Sequence, residues 1–231
     1  MELIWEGVRQ ALWLLLTGDR EVLAVTALSL QVSGAATAVS LVLGIPVGTL
    51  IGLTRFPGRG LVVSLVNTGM GLPPVVVGLF VSIFLWRTGP LGFLELLYTP
   101  AAMVIAQVVI ATPIVTGLTL AAVQQIPPEF RLQMLGLGAS RLQLLGVLLR
   151  EARLPMLAAV MAGFGGVISE IGASMMVGGN IRGQTRVLTT ATVLETSKGN
   201  FDVAIALSLL LLAITFLVNW ALTAIQQRRP R

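Results

Sequence analysis

Long apolar stretches separated by short polar ones dominate this chain. Residues 22–54, 60–86, 96–128 and 203–227 hold no Asp, Glu, Lys or Arg, and between Arg153 and Arg182 the only charge is Glu170. About 20 apolar residues suffice to cross the hydrocarbon core of a bilayer. The pattern therefore predicts an all-α polytopic membrane protein with five spans, near 24–53, 60–86, 100–123, 154–175 and 203–226. Residues 3–16 (LIWEGVRQALWLLL) are shorter and carry Glu6 and Arg9. Their apolar positions 3, 4, 5, 8, 12, 15 and 16 fall on one helical stripe, which predicts an amphipathic helix at the membrane interface. The chain divides into that N-terminal segment, 1–20, and a transmembrane domain, 21–227.

The spans are interrupted in informative places. Gly44, Gly48 and Gly52 recur at four-residue spacing around Pro46. Small residues at that spacing let helix backbones approach closely, either inside one subunit or at a dimer seam. The segment GMGLPPVVVG (69–78) sets Pro73 and Pro74 among three glycines. Proline removes a backbone donor and clashes with the preceding turn. A helix broken at membrane depth survives only against protein or a water-filled cavity, so this break is a candidate for the translocation path. Thr112-Pro113 repeats the theme in the third span. Gln31, Ser33, Asn67, Gln107, Ser169, Glu170 and Ser174 are polar within spans, and each is costly against lipid. Glu170, the ionisable one, is expected to fix a turn or a neighbouring arginine.

Composition agrees: hydrophobic residues make up 55% of the 231 and charged residues 11%, with a mean hydropathy of +0.92. No Lys/Arg run suited to a phosphate backbone is present, so no nucleic-acid partner is expected. Cys and His are absent, which removes thiol chemistry, disulfides, His-based metal ligation and His general-base catalysis; no metal site is expected. No stretch completes a GxxxxGK[ST] phosphate loop, so the chain is not expected to be an enzyme or to hydrolyse ATP. Charge also predicts orientation. Arg55, Arg59, Arg131, Arg141, Arg150, Arg153, Arg228, Arg229 and Arg231 fall on one side of a five-span arrangement. Arg9, Arg20, Arg87, Arg182, Arg186 and Lys198 fall on the other. The positive-inside rule puts the larger set, and the C-terminus, in the cytoplasm, with the N-terminus outside.

The polar loop between the third and fourth spans, PPEFRLQMLGLGASRLQLLGVLLREARLP (127–155), carries the strongest functional signal. Pro127-Pro128 ends the preceding helix, and Glu129 suits the first turn of a new one. Gly138 breaks that helix, and Ser140 can cap another over 141–150. Two short helices joined at a glycine are expected along the inner membrane face, with Arg131 and Arg141 projecting from them. This resembles the coupling loop of ABC-importer permeases, whose signature is roughly EAA, three residues, Gly, nine residues, Ile, one residue, Leu-Pro. LGAS (137–140) and Leu154-Pro155 match. LQM (132–134) replaces the EAA triplet, the nearest acid is Glu129, and Leu-Pro comes four residues late.

A second segment, SEIGASMMVGGNIRGQTRVLTTA (169–191), is similar to permeases for the tetrahedral oxyanions sulfate, molybdate and tungstate. The stretches 64–80, 150–155 and 195–207 are most similar to the tungstate type. The resemblance covers nearly the whole chain and implies a type I ABC importer transmembrane domain of the MetI-like fold. Its implied partners are a second permease chain in a homodimer, a cytoplasmic ABC ATPase dimer, an extracytoplasmic oxyanion-binding protein and membrane lipid. ATP and Mg would be used by the partner ATPase, with no cofactor on this chain. The resemblance makes Glu129, Arg131, Gly138, Ala139, Ser140 and Arg141 (in the loop 127–153) candidates for ATPase coupling. Candidates for the translocation path are Asn67, Pro73, Pro74, Glu170, Asn180 and Arg182. Broken-helix N–H groups at 69–78 and 177–183 could face a dianion, and Arg182 and Arg186 could draw it to the outer mouth. The alternatives are a molybdate, sulfate or amino-acid permease of the same kind, or a stand-alone channel or secondary transporter.

Overall fold

A computed structural model describes residues 5–10, 13 and 18–227, and every regular element among them is helical. Residues 5–10 and 13 are helical and the rest of the 3–16 stripe lies outside the described residues, as do the tail arginines 228, 229 and 231. Gly7 is buried: a Cβ there would sit 2.4 Å from Ile205. The N-terminal segment is therefore docked on the last helix at this point, in addition to presenting exposed Trp5 and Trp13.

Among the described residues, three helices are long and apolar enough to cross a membrane unaided: α1 (Arg20–Leu53), α4 (Pro100–Gln124) and α10 (Phe201–Gln227). Two further crossings are bent pairs. α2 (Arg59–Met70) and α3 (Pro74–Leu85) meet at 99°, and α7 (Arg153–Ile168) and α8 (Gly172–Gly178) at 56°. Two short helices, α5 (Pro128–Gly136) and α6 (Arg141–Glu151), join α4 to α7. A third, α9 (Leu188–Ser197), precedes α10.

α1 and α4 lie side by side and parallel. Gly44 abuts Val115, Gly48 abuts Thr116 and Thr119, and Gly52 abuts Val123. The glycine spacing thus serves packing inside one subunit, with Pro46 on the exposed face. α7 runs antiparallel to α4, since Met156 packs near Val123 and Ile126 at one end while Gly163 meets Val115 further along. α8 continues that line, and Gly178 closes on Met103.

This topology gathers the basic loops at one end. Arg59 Nε donates to Ile51 O at 3.0 Å, Arg131 Nη2 to Val123 O at 3.4 Å, and Gln226 Nε2 to Leu154 O at 3.2 Å. The other end holds the start of α1, the turn after α8 and α9. There Ser29 Oγ accepts from the Leu188 N–H at 2.8 Å.

Candidate functional site

The coupling segment is built from strong local signals. Pro128 occupies the first position of α5, where its missing N–H is harmless, and Glu129 lies in the first turn. α5 ends in a paired C-terminal cap. Gly138 (φ +83) donates to Leu135 O at 3.0 Å and Ala139 to Met134 O at 3.1 Å. That arrangement needs a left-handed residue, which glycine supplies without strain. Ser140 Oγ then accepts from the Gln143 N–H at 3.3 Å, and Gln143 Oε1 accepts from the Ser140 N–H at 2.8 Å. This capping box starts α6.

The base of the segment is fixed and its tip is not. Leu148 and Ala152 pack with Ala122, Val123 and Ile126, with Phe130 alongside. Leu132, Leu135, Leu137 and Leu142 are instead 68, 47, 76 and 81% exposed. Arg141 is exposed, but Arg131 does not project as the sequence suggests. Its guanidinium turns back onto the end of α4, bonding Val123 O, which also accepts from the Ile126 N–H at 3.3 Å. The physical reason is that the C-terminal end of a helix carries partial negative charge on its last carbonyls and attracts a cation.

The translocation candidates divide into three groups. Pro73 and Pro74 form the α2–α3 break, with Pro74 at the first position of α3. Glu170 sits in the α7–α8 break, buried; its Oε1 accepts from the Ala173 N–H at 2.9 Å, and its carbonyl accepts from Thr189 Oγ1 at 3.1 Å. The carboxylate holds the turn and bonds no arginine among the described residues. These two breaks touch: a Cβ on Gly172 would lie 2.6 Å from Val75 Cγ2, and one on Gly78 2.7 Å from Ala173 Cα. Asn67 stands apart on α2, a helix with no buried residue.

Asn180 and Arg182 lie on the turn after α8, at the end of the bundle opposite the coupling segment. Asn180 has φ +51 and donates from Nδ2 to Thr190 O at 3.3 Å. Arg182 and Arg186 both bond Glu21, so neither guanidinium is bare. Hydrogen bonding to the Glu21 carboxylate, then its charge, raises the Arg182 pKa above its ordinary value.

Sequence reasoning missed two supports, and named the residues of a third, Gln107 and Ser174, without their pairing. Thr185, fully buried, accepts from the Ile181 N–H at 2.9 Å and donates to Gly178 O at 2.5 Å, which folds the glycine-rich turn. Gln107 Nε2 donates to Ser174 Oγ at 3.3 Å across α4 and α8, at membrane depth. Glu21 is the counter-ion of two arginines about 160 residues away in sequence. Thr185 was visible inside the GGNIRGQTR stretch, but the pairing of Glu21 had no local signal.

A protein family described as the inner membrane component of binding-protein-dependent transport systems matches residues 44–231. The tungstate uptake system permease protein of Peptoclostridium acidaminophilum is 41% identical over 98% of this chain and 100% of its own. A probable anion ABC transporter permease of Haloferax volcanii is 42% identical over 90% of this chain and 91% of its own. The Escherichia coli molybdenum transport system permease is more distant, 28% identical over 87% of this chain and 93% of its own. Among solved structures, an inward-facing methionine ABC transporter superposes with a TM-score of 0.75 at 23% identity, covering 95% of this chain and 98% of that one. An alginate importer superposes with a TM-score of 0.76 at 16% identity, covering 95% of this chain and 83% of that one. These two establish the fold.

Proposed function

From the premise that the chain belongs to the family of inner membrane components of binding-protein-dependent transport systems, we propose that it is the permease subunit of an ATP-driven importer for tungstate. The observation that carries the mechanism is the α5–α6 segment: four exposed leucines at its tip, and a base locked to α4 and α7 through Leu148 and Phe130. Leucines so placed outside the spans are costly in water unless a partner covers them. A cytoplasmic ABC ATPase is that partner, and ATP with Mg binds there rather than here. Arg141 and Glu129 flank the contact, and the Gly138–Ser140 joint sets the angle between the two helices.

Closure of the ATPase pulls the segment, and its rigid base tilts α4 and α7 together. A nucleotide shifts such an equilibrium only by its differential affinity for the two states, so the permease needs a stiff lever more than a tight site. A second copy of the chain covers the free face of α2, which buries nothing in the single chain yet presents Asn67. The oxyanion passes between the copies, beside the joined breaks at Pro73-Pro74 and Glu170. Glu170 acts there by holding the turn, because a carboxylate repels an oxyanion. An extracytoplasmic binding protein delivers the anion, the basic end faces the cytoplasm, and the N-terminus lies outside.

The test is ATPase activity of the complex, reconstituted with its ATPase and a binding protein loaded with tungstate, molybdate or sulfate. Stimulation by tungstate at the lowest concentration is expected. Stimulation by another anion alone overturns the substrate, and absence of any associated ATPase overturns the importer.

A further inference from the structure

At the end opposite the coupling segment lies a cavity of about 400 Å³, lined by Arg20, Arg182 and Arg186 against the carboxylate of Glu21, with apolar side chains of α1 as its wall. Arg182 grips Glu21 with two nitrogens: Nε donates to Oε1 at 2.9 Å, and Nη2 donates to Oε2. Arg186 Nη1 donates to the same Oε1 at 3.4 Å. Arg186 Nε is buried with no acceptor among the described residues. Asp19, two residues before Glu21, is turned toward the helix, where its Oδ1 accepts from the Val22 N–H at 2.9 Å.

We propose that this cavity is an entry site for a tetrahedral oxyanion, and that Glu21 is its built-in occupant, exchanged for the anion as it arrives. The inference rests on the importer reading above. A guanidinium fork recognises a carboxylate and a tetrahedral oxyanion by the same paired N–H geometry. Arg20, Arg182 and Arg186 line the cavity; Glu21 and Asp19 act against them, while Glu195, which also acts on Arg186, is paired with Lys198. The guanidinium groups thus exceed the carboxylates left to them by one charge, and a dianion in place of Glu21 removes that excess. Arg186 Nε, buried beside the cavity, adds to its positive potential. The exchange is feasible because the Arg182 and Glu21 side chains are 73 and 42% exposed, and ion pairs so open to water hold weakly.

Exchange also has a mechanical effect. Glu21 belongs to the first turn of α1, whereas Arg182 sits on a turn that holds Gly179, Asn180 and Gly183 at φ +70, +51 and +73. Asn180 is in the left-handed region, which asparagine tolerates, and its Nδ2 donates to Thr190 O at 3.3 Å. The ion pair ties the tip of that turn to α1. An arriving anion unties it, so the outer end loosens when substrate is present.

The experiment uses the permease–ATPase complex in lipid nanodiscs without binding protein, with tungstate, sulfate and inorganic phosphate as probes in equilibrium dialysis. Glu21→Gln removes the competing carboxylate and is expected to strengthen tungstate retention at least tenfold over the natural chain. Adding Arg182→Gln or Arg186→Gln to that variant is expected to abolish the gain. Retention by Glu21→Gln no higher than the natural chain overturns the site, as does retention that survives both arginine changes. Copurification of phosphatidylglycerol in place of tungstate overturns it too, by assigning the cavity to a lipid headgroup. Should Glu21→Gln fail to assemble, the single arginine variants decide: a raised half-saturating concentration of loaded binding protein is expected, and an unchanged one overturns the site. ATPase stimulation by loaded binding protein, measured in the same preparation, separates the two levels. Its absence sinks the importer reading, whereas its presence without tungstate on Glu21→Gln sinks only the site.

Discussion

Gly48 sits where α1 and α4 come closest, and a methyl group there has nowhere to go. A Cβ at Gly48 would lie 2.5 Å from Thr116 O, 2.9 Å from Thr119 Cβ and 3.1 Å from Leu120 N. Two of those three atoms are backbone, so no side chain can rotate away and the helices must part. Overpacking of this kind costs about 1–3 kcal/mol. For a chain of this size that corresponds to a fall of about 2–12 °C in apparent melting temperature. Gly34 provides the control, because it lies on the same helix and a Cβ there meets nothing within 4 Å. Gly34→Ala escapes the clash and gains helix propensity, up to about 1 kcal/mol. Gly44→Ala falls between, since its Cβ meets the Val115 side chain at 2.8 Å. The assay is intrinsic tryptophan fluorescence or size-exclusion melting of the detergent-solubilised complex. If Gly48→Ala melts at or above Gly34→Ala, the close seam between α1 and α4 is wrong.

Other substitutions separate the remaining claims. Glu170→Ala strands the Ala173 N–H in a buried turn and is expected to cost about 1–3 kcal/mol. Glu170→Gln keeps an acceptor oxygen and is expected to cost less than half as much, so equal losses by thermal melting refute the capping role. Thr185→Val removes an acceptor for Ile181 and a donor to Gly178, and is expected to lower stability by about 1–3 kcal/mol; an unchanged melting temperature would count against the brace. Leu142→Asp is expected to abolish copurification of the ATPase while leaving the permease monodisperse, and undiminished copurification removes the exposed leucines from the docking face. Arg131→Gln releases α5 from the end of α4, so ATP consumed per anion transported is expected to rise, with ATPase association retained.

Local chemistry was legible in the sequence, and long-range pairing was not. Pro127-Pro128, Gly138 and Ser140 announce α5 and α6, because proline, a left-handed glycine and a capping serine act within four residues of themselves. Charge-free length announced the spans for the same reason. The direction of Arg131 depends on where the end of α4 lies, so a guanidinium that reads as a free projection turns back instead. The 69–78 break was legible as a break, whereas its 99° angle and its contact with Gly172 belong to packing between crossings. Glu21 needed the fold most of all, since nothing near it in sequence indicates two arginines on a distant turn.

The parallel placement of α1 and α4 has a consequence for the lipid around them. Parallel neighbours need a return crossing between them, and here it is the α2–α3 pair. Two 12-residue helices are each about 18 Å long. Bent by 99°, they reach roughly 25 Å end to end, short of the ~30 Å hydrocarbon core. The α7–α8 pair, with 16 and 7 residues and a 56° bend, reaches roughly 30 Å and has no such deficit. Beside α2 and α3 the bilayer must therefore thin, or the chain that follows must sink to meet it. That chain, residues 86–98, exposes Trp86, Phe93 and Tyr98, side chains suited to the headgroup boundary. The protein thus carries a locally thin flank, and its activity should respond to acyl-chain length.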